Sequence, residues 1–413
     1  MKSMILTFTG LVVAGHLLHG QEPKLVDGNF LSTLRAEAVR NHPAARSAEL
    51  RAAAAASDIR GVRLWDDPMV GLALIAADPE MRRTDGDIRI SLEQPLPKPG
   101  LYAANLSKAE ALQRAESEIS KSSLLEVGAA AAKDAIELAL ADESIALQST
   151  QITWLESMTK NARAMAINPD ATSADALRLE SELAREKQIL EAARRTHDGI
   201  AQSLNLRLGR ALDSPWPKLL LTTNAAPVPV ASSEIARISR VNPKVRTMKE
   251  MASAANSDVR IADSERNPQF SVAVESAIYS GGDVRSAAVG LKMSLPVFNR
   301  VSYDAKVQAS QLREKAAVSD VETTRLEVAS AVVSAVTEAT NAAAQARAYS
   351  GEIRERALAA TQSVEASWIS SKATLTDLLD SNRTLFSIKL EQRRFVAIQL
   401  AALENLNLLV PRK

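Results

Sequence analysis

An ordered series of internal matches, each about 200 residues apart, restricts the fold of this chain more than any other feature. Pro43, Ser57, Asp58, Arg60 and Pro68 recur as Pro243, Ser257, Asp258, Arg260 and Pro268 at an offset of 200. Pro95, Tyr102 and Ala104 recur as Pro296, Tyr303 and Ala305 at 201, and Thr172, Asp175 and Leu177 as Thr374, Asp377 and Leu379 at 202. The offset grows one residue at a time, in stretches that read as loops. The chain is therefore expected to be one structural unit used twice. Each unit has the same order of parts. A helix meets a break, and a second helix starts at a proline, Pro43 or Pro243. Two strand-like segments follow, then a very long helical stretch and a returning helix.

The long stretches run from Leu101 to Ile167, stopped by "NPD" at Asn168–Asp170, and from Ser302 to Trp368, stopped by "ISSKAT". At 1.5 Å per residue each would reach on the order of 100 Å. Ordinary helices average about 11–12 residues, so these belong to a coiled coil or a tube wall. The composition agrees. The hydrophobic class is 46% of residues while aromatics are 3%, which leaves mainly alanine and leucine to fill the core. Val396, Leu403 and Val410 are spaced by sevens, as are Leu378 and Leu385, the spacing of a left-handed supercoil seam. Between the units, Pro215, Pro217, Pro227 and Pro229 mark 209–234 as an irregular linker.

The strand segments carry the sharpest argument. In "DIRISLEQ", Ile88, Ile90 and Leu92 face one side and Arg89, Ser91 and Glu93 the other. Val289, Leu291, Met293 and Leu295 alternate with Ala288, Gly290, Lys292 and Ser294 in the same way, and Phe270, Val272 and Val274 share a face. "PMVGLALIA" is apolar on both sides. A tilted strand needs about 9–11 residues to cross a bilayer, and these segments have that length. Four strands are too few to close a membrane barrel, for which about eight is the minimum. Either the segments are two hairpins on a soluble core, or several chains share one barrel.

Other features narrow the function. A positive start at Lys2 and the short apolar run Met4–Leu18 predict an export signal over 1–20. The net charge of +1 argues against nucleic acid as partner. With no cysteine there is no thiolate site, no disulfide and no N-terminal lipidated Cys. Of the four histidines, His16 and His19 lie in the predicted export signal, His42 and His197 stand alone, and no HxxxH or HExxH spacing occurs, so no metal site and no cofactor are expected. One pair of like charges stands out in "KATLTDLLDSNRTLF". Asp377 and Asp380 lie three residues apart on one helical face. They could be a catalytic pair, metal ligands, solvated charges, or a feature with meaning only in an assembly. No aromatic sugar platform surrounds them, and no enzyme is expected.

The expected organisation is a signal at 1–20 and a first repeat at 21–208, holding a strand hairpin at 68–94 and a helical hairpin at 101–208. The linker at 209–234 precedes a second repeat at 235–410, with hairpins at 268–296 and 302–410. In this order the chain resembles the outer membrane factor family, the TolC-like outer membrane efflux proteins. The resemblance rests on the two-fold repeat, the helix starts at "NHP" and "VNP", and "ISLEQPLPKPG" and "MSLPVFNR" before the long helices. "ATSADALRLESELAREKQ" and "KATLTDLLDSNRTLFSIKLEQRR" on the returning helices complete it. "DPMVGLALI" with "LEQPLPKPG" looks most like the heavy-metal efflux branch.

The resemblance implies a mainly α fold with membrane β structure: a long helical periplasmic tunnel, and four strands per chain in a shared twelve-stranded trimeric β-barrel. It implies a homotrimer in outer membrane lipid, a periplasmic adaptor (membrane fusion) protein, and an inner-membrane pump of the resistance-nodulation-division type. It implies that Asp377 and Asp380 form the pore constriction. It also implies a closing latch at Asp175, at Trp368 where the family has tyrosine, and at Lys372 beside the family's arginine position, here Ala373. The alternative from another class is a periplasmic coiled-coil scaffold or adaptor without its own pore, which has no use for a lipid-facing row of apolar strand residues.

Overall fold

The computed structural model describes residues 22–74, 88–165, 174–222, 232–278 and 282–410. The predicted signal at 1–20, the "NPD" turn, the tip of the first strand hairpin, and Pro227 and Pro229 lie outside them. The first repeat holds β1 (Lys24–Val26), α1 (Gly28–Asn41), α2 (Pro43–Gly61), β2 (Met69–Leu74), β3 (Ile88–Pro95), α3 (Leu101–Met165) and α4 (Ala174–Arg207). After β4 (Leu219–Leu221), the second holds α5 (Ser232–Val241), α6 (Pro243–Glu265), β5 (Gln269–Ile278), β6 (Val284–Ser294), α7 (Arg300–Ser350), α8 (Glu352–Ile369) and α9 (Leu375–Leu409). No helix among the described residues is long and apolar enough to cross a membrane.

The duplication is visible in the side chains that set helix boundaries. His42 caps α2, its Nδ1 accepting from Ala44 N at 3.2 Å, and Asn242 caps α6, its Oδ1 accepting from Lys244 N at 2.9 Å. Asn41 Nδ2 donates to Leu208 O at 2.9 Å and Asn242 Nδ2 to Leu409 O at 3.0 Å, each tying a repeat's first helices to the end of its last. One asparagine in the second repeat thus does the work of two residues in the first. In each repeat the shorter helices lie along the long one: α1 and α2 on α3, and α5 and α6 on α7. Contacts of α3 with α6 and α9 join the repeats.

Two features differ from expectation. The second long helix is not continuous, because Gly351 leaves helical geometry (φ −100°, ψ −120°) and separates α7 from α8. A glycine inside a helical run is a usual site for such a break. The linker is not wholly irregular, since Leu219–Leu221 forms β4, parallel to β1. α3 supplies the remaining bonds: Asp142 Oδ2 accepts from Leu219 N at 2.9 Å and Glu143 Oε1 from Leu221 N at 2.8 Å. Around this belt lies the largest apolar cluster, with Leu34, Leu138, Leu204, Leu208, Leu219 and Leu400 among its members. His197 of α4 docks here, Nε2 lying 3.3 Å from Asp142 Oδ1 and Nδ1 3.2 Å from Asp198 Oδ1. Among the supercoil positions, Leu378, Leu385 and Val396 are buried, while Leu403 and Val410 pack partly buried on the cluster of Ile238, Val332, Ala335 and Leu406.

The four strands form one antiparallel sheet in the order β2-β3-β5-β6. Its register puts Val70, Leu92, Val274 and Val289 abreast on one face, and Gly71, Ser91, Glu275 and Ala288 abreast on the other. The burial is inverted relative to a hairpin on a soluble core. Val70 is 75% and Val289 77% exposed, while on the opposite face Ser271 is 7% and Ala273 2% exposed. The small and polar face is the crowded one: a Cβ on Gly71 would collide with Ser91 Oγ.

Candidate functional site

The end of α3, the start of α4, the end of α8 and the start of α9 converge at one end of the helical bundle. They share an apolar cluster: Leu155, Met158 and Ala162 from α3, Ala176 and Leu179 from α4, Trp368 from α8, and Leu375, Leu378 and Leu379 from α9. Polar links surround it. Arg163 Nη2 meets Glu180 Oε1 at 2.6 Å, Lys187 Nζ meets Glu156 Oε1 at 2.8 Å, and Trp154 Nε1 donates to Glu365 Oε2 at 3.2 Å. These pairs join different helices, so sequence spacing gives no sign of them.

The five gate and latch candidates all lie at this tip. Asp377 is exposed and completes a capping box with Thr374, the N-cap of α9. Its Oδ2 accepts from Thr374 Oγ1 at 2.6 Å and from Thr374 N at 3.1 Å, while Thr374 Oγ1 accepts from Asp377 N at 3.2 Å. The Thr374 hydroxyl, and then its backbone N–H, hold the Asp377 carboxyl below the usual range. Its local role is thus helix initiation, and its charge is retained there. Asp380 is exposed and 3.5 Å from Arg383 Nη1, whose Nη2 donates to Glu182 Oε1 on α4 at 2.6 Å. Burial and the neighbouring Glu182 raise the Glu186 carboxyl above its ordinary value.

Asp175 lies half-buried in the first turn of α4, next to Ala176 of the cluster. Trp368, in the last turn of α8, is 3% exposed and packed inside that cluster. Lys372 is exposed in the tight turn between α8 and α9, where its backbone N donates to Ser367 O at 2.7 Å and Ser371 adopts φ 59°. Trp368 therefore sits in the core of the tip, while Lys372 and the two aspartates face outward.

A long duplicated helical bundle carrying a four-stranded sheet with its apolar face outward defines the fold class of this chain. Residues 236–410 match the family described as outer membrane efflux protein. Its structural matches extend the fold over the first repeat. The outer-membrane channel OprN superposes with a TM-score of 0.80 at 15% identity, over 93% of this chain and 90% of that one. CusC gives 0.80 at 14% identity, over 97% and 96%. The Campylobacter jejuni CmeC outer membrane channel gives 0.77 at 13% identity, over 98% and 94%. Comparison with curated protein sequences finds no match.

Proposed function

We propose that this chain is the outer membrane duct of a tripartite efflux system. Three copies form a twelve-stranded barrel and a helical tunnel, through which small solutes or metal ions leave passively. An inner-membrane pump, of the resistance-nodulation-division type, supplies the energy, and a periplasmic adaptor bridges the two. The observation that carries this reading is the inverted sheet. An apolar face of such exposure is suited to lipid, whereas charged residues on the opposite face are tolerated only toward water. Strand direction supports sharing between copies: β2 and β6 are the open edges, and four alternating strands present them antiparallel to each other from one copy to the next. A pore-free scaffold has no need of either property.

At the far end, Asp377 and Asp380 become two rings of carboxylates around the axis. Such rings favour cations and resist anions, and crowding of like charge opposes close approach of the three tips. Asp175, Trp368 and Lys372 are the residues proposed to hold the tips closed, with Trp368 acting by packing. The test is reconstitution of full-length protein in planar bilayers after detergent extraction from outer membranes. Asp377→Asn with Asp380→Asn, which keeps an acceptor for the cap, raises conductance and weakens cation selectivity. Unchanged conductance and selectivity would remove the gate assignment, and a monomer free in the periplasm would remove the duct.

A further inference from the structure

The polar face of the sheet carries its own charge cluster, away from the tip. Glu93 projects from β3, Glu275 from β5 and Lys292 from β6. Glu93 is abreast of Ala273 and Gly290, and Lys292 is abreast of Ser271. These small neighbours leave a clear path along which the lysine reaches across β5. Lys292 Nζ lies 2.7 Å from Glu93 Oε2 and 3.7 Å from Glu275 Oε1, and Ser271 Oγ donates to Glu93 Oε1 at 2.6 Å. One ammonium between two carboxylates leaves one negative charge uncompensated. Arg89, on the same face of β3, is four residues further from α3 than Glu93, about 13 Å along the strand, and about 7 Å beyond the row that Ser91 shares with Glu275. The carboxylate excess therefore lies toward the helices and the arginine toward the opposite end.

We propose that Glu93, Glu275 and Lys292 form a second charge-selecting layer, in the barrel lumen, where Lys292 sets the cation preference by half-cancelling the two carboxylates. This rests on the duct reading, since only a closed barrel turns the polar face into a lumen. Three copies place three excess negative charges in this layer, with a ring of three Arg89 side chains about 7 Å beyond it along the strands. Their reach is set by screening: the Debye length is about 10 Å at 0.1 M salt and about 30 Å at 0.01 M. The layer thus acts on ions along the axis at low salt and fades at high salt.

The experiment is reversal-potential measurement across a KCl gradient, with the full chain in planar bilayers near 0.01 M salt on the dilute side. Lys292→Gln raises the potassium-to-chloride permeability ratio roughly threefold, and Glu275→Gln lowers it by a similar factor. Glu275 lies 3.7 Å from the ammonium, so its neutralisation leaves the two short bonds of Glu93 intact. Both shifts persist when Asp377→Asn and Asp380→Asn are also present, and shrink in 1 M KCl. Channels whose ratio is unmoved by either substitution, or moved only while the tip aspartates remain, overturn the proposal. Absence of any channel from the unaltered chain would instead refute the duct reading.

Discussion

Removal of the indole from the tip tests whether packing holds the helix ends together. Trp368 is 3% exposed and shares its cluster with side chains from three other helices. Trp368→Ala exchanges the largest side chain there for a cavity, at a cost of about 3–5 kcal/mol for such substitutions. One decade in an equilibrium constant is about 1.4 kcal/mol, so local opening becomes two to four orders of magnitude more populated. The effect stays local. The belt cluster around Leu138, Leu208 and Leu400 shares no residue with the tip cluster, and parts of a long bundle open independently. Hydrogen exchange followed by mass spectrometry is the suitable assay. Peptides spanning the end of α8 and the start of α9 lose protection by that factor, down to the limit of free exchange. Peptides from β1, β4 and the middle of α3 do not change. Trp368→Phe, which keeps most of the apolar volume, restores much of the protection. In bilayers the alanine variant conducts more than the unaltered chain. Unchanged exchange at the tip in Trp368→Ala would refute the argument, because a buried indole at a convergence of four helices cannot be removed without effect if it holds them.

Two further outcomes follow from the fold. Hydrogen bonding to Asp142, and secondarily to Asp198, raises the His197 pKa above its ordinary 6.5. A raised folded-state pKa stabilises fully below 6.5 and is lost as pH rises through the folded value, so melting temperature falls over that window in the unaltered chain and less so in His197→Gln. Val70→Arg places a charge on the apolar face, at a cost of about 2–4 kcal/mol near the bilayer midplane. It abolishes recovery of trimer from outer membranes, whereas Ala288→Arg on the opposite face is tolerated.

The parts of the fold legible in the sequence are those with short-range causes. Proline at the first helical position fixed the starts of α2 and α6, and period-two alternation in "DIRISLEQ" and "AAVGLKMSL" assigned faces that the strand register then aligned. The β1–β4 pair was not legible, because three-residue strands have no period and their edge bonds come from Asp142 and Glu143, far away in sequence. Gly351 was visible as a residue, but "YSGE" sits within strong helix formers that mask the break. Thr374 and Asp377 have the spacing of a capping box, which gives one of the two aspartates a local role independent of their like charge. Burial of Trp368 depends on three other helices and could not be read from its neighbours in sequence.

The inverted sheet also has a consequence in time. The helical regions bury alanine and leucine against one another and can form in water, within a single chain. The sheet cannot reach a comfortable state there, since Val70, Leu72, Val289 and Leu291 remain largely uncovered until lipid meets them. On the duct reading, a copy that has not yet met lipid carries a half that is ready and a half that is waiting, with two open strand edges prone to pair wrongly. On that reading, the shielding of those edges before assembly, rather than the stability of the finished duct, sets the vulnerable stage in the life of this protein.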